Sequence, residues 1–349
     1  MRRIVLAAMV ALGLAGSAVA AQPPPKVVGA ADGIFAAFAT HPVVALGEWH
    51  GLAQELDFYA TLLRDPRFGA QVGNVVLEVG DAAQQAVIDR YVAGEDVPYT
   101  ELRKVWGDTV GWFPTVTNTG SINLYATIRE VNRTLPPESR IKVWLGDPPI
   151  DWSQIKTKEE WQALVKQRDT YPVGLIEREI LARGRKALVI YGTGHLGLYP
   201  DYENMRALLD KDHPGALFTV TPYVGYGQKD CAARFERHIR KWPVPALVSP
   251  IKGTALEKDI FRKGCNAFVQ GDIPDAAFEM SGRNNLGLTS DGLLYLGPRA
   301  SLLKAPRDPD IYLDADYRAE MDRRMVLRTG QHLTGSSPAG NPSVPKPFF

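Results

Sequence analysis

Six short apolar runs recur along the chain, each followed by a polar or glycine-bearing segment. They lie at 43–46, 75–77, 141–145, 187–190, 217–220 and 246–248. Near-continuous aliphatic and β-branched runs of this length suit strands buried on both faces of a parallel sheet. Helical patterns separate them. Leu52, Leu56, Tyr59 and Leu63 form one stripe, and Ala82, Ala86, Ile88 and Val92 form another that Gly94 stops. Ser121 is placed to cap a helix through Leu124, Ile128 and Val131, which Pro136 ends. Thr157 and Glu160 read as a capping box, in which each side chain serves the other's backbone N–H. This alternation predicts the α/β class: a mostly parallel sheet with helices on both faces, in a single domain, with its site at the carboxyl ends of the strands.

The ends of the chain read differently. Arg2 and Arg3 precede an apolar stretch at 4–15, and Ala18-Val19-Ala20 supplies a small-residue cleavage pattern. Residues 1–20 therefore predict a secretory signal peptide, and with it a periplasmic or secreted protein. No second apolar stretch of spanning length follows, so no membrane span is expected after cleavage. Residues 21–42 are read as a leader and first helix, opening on a proline-rich 22–26. Residues 43–329 are read as the α/β domain, and 330–349, rich in Gly, Ser and Pro, as a flexible tail.

With 45% hydrophobic residues the chain is a folding one, and 40 basic against 39 acidic side chains give no basic surface for nucleic acid. A small-molecule or peptide ligand is the partner expected; the oligomeric state is not readable. Two cysteines are too few for a disulfide scaffold, but in an oxidising compartment Cys231 and Cys265 predict one disulfide. Closing that loop would stabilise the fold by about 3–4 kcal/mol in the chain-entropy model.

Polar residues stand where four of the apolar runs end. The first runs into Gly47-Glu48-Trp49-His50, and the second ends Leu77-Glu78-Val79. The third meets Gly146-Asp147-Pro148, and the fourth meets Gly192-Thr193-Gly194-His195. Glu48 and His50 are two residues apart, so an extended exit points them the same way. Glu78 lies inside an apolar strand and needs a cation, a metal or hydrogen-bond donors, because an unpaired buried carboxylate costs several kcal/mol. Glu48, His50, Glu78 and His195 are the candidate catalytic residues. Glu48, His50 and His195 also have the donor types to hold a divalent metal ion with an open position; without one they serve as acid and base. Asp147 is as much a turn former as a site residue.

Trp106 and Trp112 fall in a Gly- and Pro-punctuated insertion that would cover the site and stack on a flat ligand, or pack in the core. Arg168 and Asp169 either reach the site or form a surface helix pair. No nucleophile elbow follows a strand in the mature chain, and no H-E-x-x-H or P-loop occurs. Gly192 to Gly197 matches G-x-G-x-x-G, but Tyr199-Pro200 interrupts where a phosphate-binding helix should start, so no nucleotide is expected.

The two G-x-x-H motifs, with Leu77-Glu78-Val79 between them, resemble the superfamily of ChaN-type haem-binding proteins, TraB/Tiki-type proteins and erythromycin-esterase-like hydrolases. The likeness spans 43–198, with a weaker echo at 291–297. It implies an α/β fold with its pocket at those loops, and it matches Glu48, His50, Glu78 and His195 to the family's polar site positions. The Tiki-type branch implies metal-dependent peptide cleavage, the esterase-like branch a His that activates water, and the ChaN-type branch haem or another iron-bearing ligand. The chain departs from each pattern in detail. G-E-x-H is one residue shorter than the esterase-like motif, no Cys for a lipid anchor follows Ala20, and no particular haem-ligating tyrosine stands out. An exported, metal-assisted hydrolase of an ester or amide bond is the first expectation, and a non-catalytic haem carrier the second.

Overall fold

The structure, a computed structural model, describes residues 25–111, 118–198, 202–225, 229–254, 290–333 and 346–347. Eight strands form one sheet: β1 (Lys26–Gly29), β2 (Val43–Glu48), β3 (Asn74–Asp81), β4 (Lys142–Asp147), β5 (Ala187–Gly192), β6 (Leu217–Pro222), β7 (Ala246–Ser249) and β8 (Gly292–Tyr295). Their order is β1-β7-β8-β6-β2-β5-β3-β4. Only β7 runs against its neighbours, so the sheet is mostly parallel, as the apolar runs predict.

The helices follow the crossovers that parallel strands require. On one face lie α1 (Ala30–Ala37), α2 (Ala53–Arg64), α3 (Gln85–Ala93) and α4 (Thr119–Thr134). Their apolar stripes pack on Leu46, Leu77 and Ile190 through residues such as Tyr59, Leu63, Tyr125 and Ile128. Ala45, Val76 and Val189, one step along each strand, point to the other face and meet Ile176 and Leu209. Those two come from α6 (Thr170–Glu179) and α7 (Met205–Asp212), which follow α5 (Lys158–Val165). The period of two thus sorts each central strand onto two helical layers. Each such buried aliphatic side chain stabilises the fold by about 1.5–3 kcal/mol.

Several local expectations are corrected. The leader does not simply precede the domain, since β1 pairs antiparallel with β7 from Lys26 opposite Ser249. Inside the stretch read as a tail, β10 (Lys346–Pro347) pairs with β9 (Leu303–Lys304). Asn118, not Ser121, caps α4, because its Oδ1 accepts the Ser121 N–H at 3.0 Å. The Thr157–Glu160 capping box is present as read. Trp106 belongs to the core: it is 2% exposed, stacks on Tyr125 and donates its indole N–H to Asp308 at 3.3 Å. Trp112 lies outside the described residues, as do residues 1–20 and Cys265. Cys231 lies in α8 (Lys229–Ile239). Among the described residues no helix is long and apolar enough to cross a membrane.

One irregular segment bears on the site. Residues 301–307, between β8 and α9 (Ala315–Thr329), lie along the carboxyl edge of the sheet and are stitched there by main-chain bonds. Leu52 and Lys304 form a β-bridge, and Ala305 N–H donates to Gly51 O at 2.8 Å. On the other side Asn118 bridges Arg307, and Thr119 N–H donates to Pro306 O at 2.9 Å.

Candidate active site

Parallel register brings the polar strand ends together. Glu48 stands opposite Gly192 across the β2–β5 pair, and Leu77, just before Glu78, stands opposite Ile190 of β5. A register shift between Leu77 and Asp81 marks the end of regular pairing with β4. Glu48, His50, Glu78 and His195 all line one cavity of about 430 Å³, together with Trp49, Asn118, Arg168, Thr193, Lys304 and Arg307. Such a volume is in the range of small-molecule sites.

The β2 exit sets His50. Both oxygens of the buried Glu55, on α2, accept the Trp49 N–H, at 3.0 and 3.2 Å. Leu52 N–H closes a turn on Trp49 O at 2.9 Å, and Gly51 takes φ +89°, where a side chain would be strained. The turn returns the His50 ring to its own strand end, where Nδ1 lies 2.9 Å from Oε2 of the buried Glu48. Gly192 makes room on the opposite strand. A Cβ there would sit 3.1 Å from both Glu78 Oε2 and His50 Cε1.

The β3, β4 and β5 ends form a second, more enclosed cluster. Glu78 is 2% exposed. Its Oε2 accepts the Gly192 N–H, while Oε1 takes Arg168 Nη2 and lies 3.4 Å from His195 Nε2. Arg168 also donates from Nε to Asp147 Oδ1 at 3.0 Å. Asp147 in turn accepts the Val110 N–H, so it braces the guanidinium from behind and does not line the cavity. His195 Nδ1 is 2.7 Å from Asp169 Oδ1, and Asp169 also accepts Met205 N–H and the Tyr202 hydroxyl.

These contacts set the charges. Burial drives Glu78 toward its neutral form, but His195, Arg168 and His50 outweigh it and hold the carboxyl well below its usual range. Burial also opposes a charge on His195, yet Glu78 and Asp169 lift its pKa to about 9. His50 is raised as well: desolvation works against the cation, and the charge and hydrogen bond of Glu48 override it. Burial pushes Asp147 up to about 6 against the pull of Arg168. Burial and the neighbouring Glu48 push Glu55 well above the carboxylate range.

The residues present do not fit a metal centre. Among the described residues no three His, Cys, Asp or Glu side chains are grouped to hold an ion. Glu78 is engaged by the Arg168 guanidinium and the Gly192 N–H, and His195 has a carboxylate at each ring nitrogen. The expectation of Glu48, His50 and His195 as metal ligands thus finds no support among the described residues. The cation that Glu78 needs is Arg168, which with Asp169 was left open between the site and a surface pair, whereas Glu55, Lys304 and Arg307 were not singled out by the sequence pattern. The one signal available was the demand of Glu78 itself for a cationic partner.

No protein-family model and no curated protein sequence matches the chain. Solved structures do. Erythromycin esterase EreC, a mutant in its open conformation, superposes with TM-score 0.51 and 12% identity, over 76% of this chain and 92% of that one. A protein from Bacillus cereus gives TM-score 0.50 and 12% identity, over 78% and 94%. ChaN of Campylobacter jejuni, solved with cofacially bound haem, gives only TM-score 0.35 and 12% identity over 56% and 86%, too loose to bear on function. At these identities the likeness is one of fold, and the fold is the α/β one that the sequence predicts.

Proposed function

We propose that this chain is an exported hydrolase that cleaves an ester or amide bond with water activated at His50. The observation that carries the reading is the contrast within one cavity: an accessible imidazole tethered to a buried carboxylate, facing a fixed pair of cationic side chains. In this scheme Glu48 accepts the His50 Nδ1–H and fixes the tautomer, so that Nε2 takes the proton of an attacking water. As the carbonyl becomes tetrahedral, negative charge grows on its oxygen. Arg168 and protonated His195 line the same cavity and are already oriented by Glu78, Asp147 and Asp169, so they stabilise that charge without reorganisation. His50, once protonated, returns the proton to the leaving alcohol or amine. The fold shared with an erythromycin esterase supports this reading as an analogy of scaffold.

The carrier reading has less beneath it. Trp106 is in the core, and the cavity lining among the described residues contains no tyrosine, cysteine or methionine. His195 faces carboxylates at both ring nitrogens, which leaves His50 as the only imidazole among the described cavity residues to offer an iron. Export rests on residues 1–20 and is tested by N-terminal sequencing of the protein from the periplasm or medium.

Hydrolysis of a panel of simple esters and anilides by the wild type and His50→Ala tests the proposal. A general base contributes about 10²–10⁴-fold, so kcat in folded His50→Ala is expected to fall by that factor. Equal turnover by the two proteins would overturn it, and a saturable Soret shift on haem titration of a protein inert to every ester would favour the carrier.

A further inference from the structure

The wall opposite the catalytic cluster is basic. Lys304 and Arg307, both exposed, line the cavity from the 301–307 segment. Among the described residues no carboxylate pairs with either of them, whereas the cavity's own carboxylates are committed, Glu48 to His50 and Glu78 to Arg168. The segment is not a wandering loop. Its main chain is pinned to Gly51 and Leu52 beside His50, and to Asn118 and Thr119 across the mouth. Gln54 holds it further, accepting the Leu303 N–H at 2.9 Å. The Lys304 stem lies beside Gly51, within 4.0 Å of where a Cβ on that residue would be. The main chain thus holds Lys304 beside Gly51, the neighbour of His50, and Arg307 beside Asn118, with no carboxylate paired to either among the described residues.

We infer that Lys304 and Arg307 form an anion subsite at the mouth of the cavity, and that the substrate is an ester or amide whose far end carries a carboxylate or a phosphate-type group. The inference rests on the hydrolase reading for the chemistry and adds the charge of the substrate. A fork of guanidinium donors with a nearby ammonium suits either oxyanion. A cationic or neutral ester of the same length gains nothing there, and the cation is repelled.

The test compares methyl esters that differ at the far end. Monomethyl succinate, adipate and suberate sample the reach. Methyl hexanoate and methyl 6-aminohexanoate give the neutral and cationic counterparts of the adipate, and methyl 5-phosphonopentanoate separates phosphate-type from carboxylate recognition. In the wild type at least one anionic ester is expected to exceed its neutral partner in kcat/KM by about tenfold, through KM, as two partly solvated charge contacts allow. The advantage should shrink with added salt, because the screening length is only about 8 Å at physiological ionic strength. The anionic-to-neutral ratio should collapse in Lys304→Ala/Arg307→Ala, be retained in Lys304→Arg/Arg307→Lys, and turn toward the ammonium ester in Lys304→Glu/Arg307→Glu. A wild-type ratio near one, or a ratio unchanged by the alanine pair, overturns the subsite and leaves the hydrolase reading standing. If no ester is cleaved, calorimetric binding of adipate to the wild type and the alanine pair decides the subsite separately. Binding lost in the pair supports it, and equal or absent binding in both removes it.

Discussion

His50 and His195 leave adjacent parallel strands, yet they are held in opposite ways. The His50 side chain is 43% exposed and has one buried carboxylate behind it. His195 is 13% exposed, lies between Asp169 and Glu78, and shares Glu78 with an arginine that Asp147 braces. A proton acceptor has to reach solvent and change its charge, and His50 is placed to do so. A group that stabilises charge does best when it cannot move or lose its own, which describes the His195 side. The same two residue types, histidine and glutamate, therefore serve different ends because one pair faces the cavity and the other is built into its wall.

That contrast predicts unequal costs. Arg168→Ala should be the most damaging change to the fold, because it leaves Glu78 and Asp147 buried without their shared cation. A loss of about 3–5 kcal/mol is expected in urea unfolding, larger than that of His50→Ala, which strands Glu48 alone. A stable Arg168→Ala protein would remove the idea of a fixed frame. The next effect is on pH dependence. In the proposed hydrolysis His50 acts in its neutral form, so kcat/KM should rise with pH through its raised pKa. In the same proposal His195 acts as a cation, so activity should fall again as pH passes about 9, giving a bell. Asp169→Asn should draw the basic limb down by about one unit, since it removes one of the charges that raise His195. A limb that stays near 9 would assign it to another group. The linked stability has the same sign: raised from 6.5 to about 9 by folding, His195 stabilises fully below 6.5, and that contribution fades as pH climbs through 9. The smallest effect belongs to Glu55→Gln. Burial and Glu48 already favour the neutral carboxyl, and an amide oxygen accepts the Trp49 N–H equally well, so kcat/KM should change by less than about threefold. A loss matching that of His50→Ala would make Glu55 an ionised participant.

The strands and the exposed half of the site were legible in sequence for one reason. A strand buried on both faces is an unbroken apolar run, so a charged residue at its exit, such as Glu48, or within it, such as Glu78, stands out. Parallel register then brings those exits to one edge. Arg168 and Asp169 were ambiguous because they sit between two helices, where an Arg-Asp pair has the pattern of a solvated surface. Nothing local distinguishes a guanidinium that reaches back to the ends of β3 and β4. Lys304 and Arg307 were silent because an irregular segment broken by Pro306 has no periodicity to read. Trp106 was open between stacking on a ligand and packing, and the partners that decide it, Tyr125 and Asp308, come from distant parts of the chain. Sequence spacing reports what a strand or helix repeats, and the wall of this cavity is made by contacts that do not repeat.

The stitching of residues 301–307 has a consequence for how such a protein can diversify. Its hydrogen bonds across the mouth run through main-chain atoms of Gly51, Leu52, Asn118 and Thr119. Main-chain bonds survive substitution, so the side chains at 304 and 307 are exchangeable without disturbing the segment's path. A lineage carrying this scaffold is free to recode the mouth of its cavity by point mutation while the buried frame behind it stays fixed.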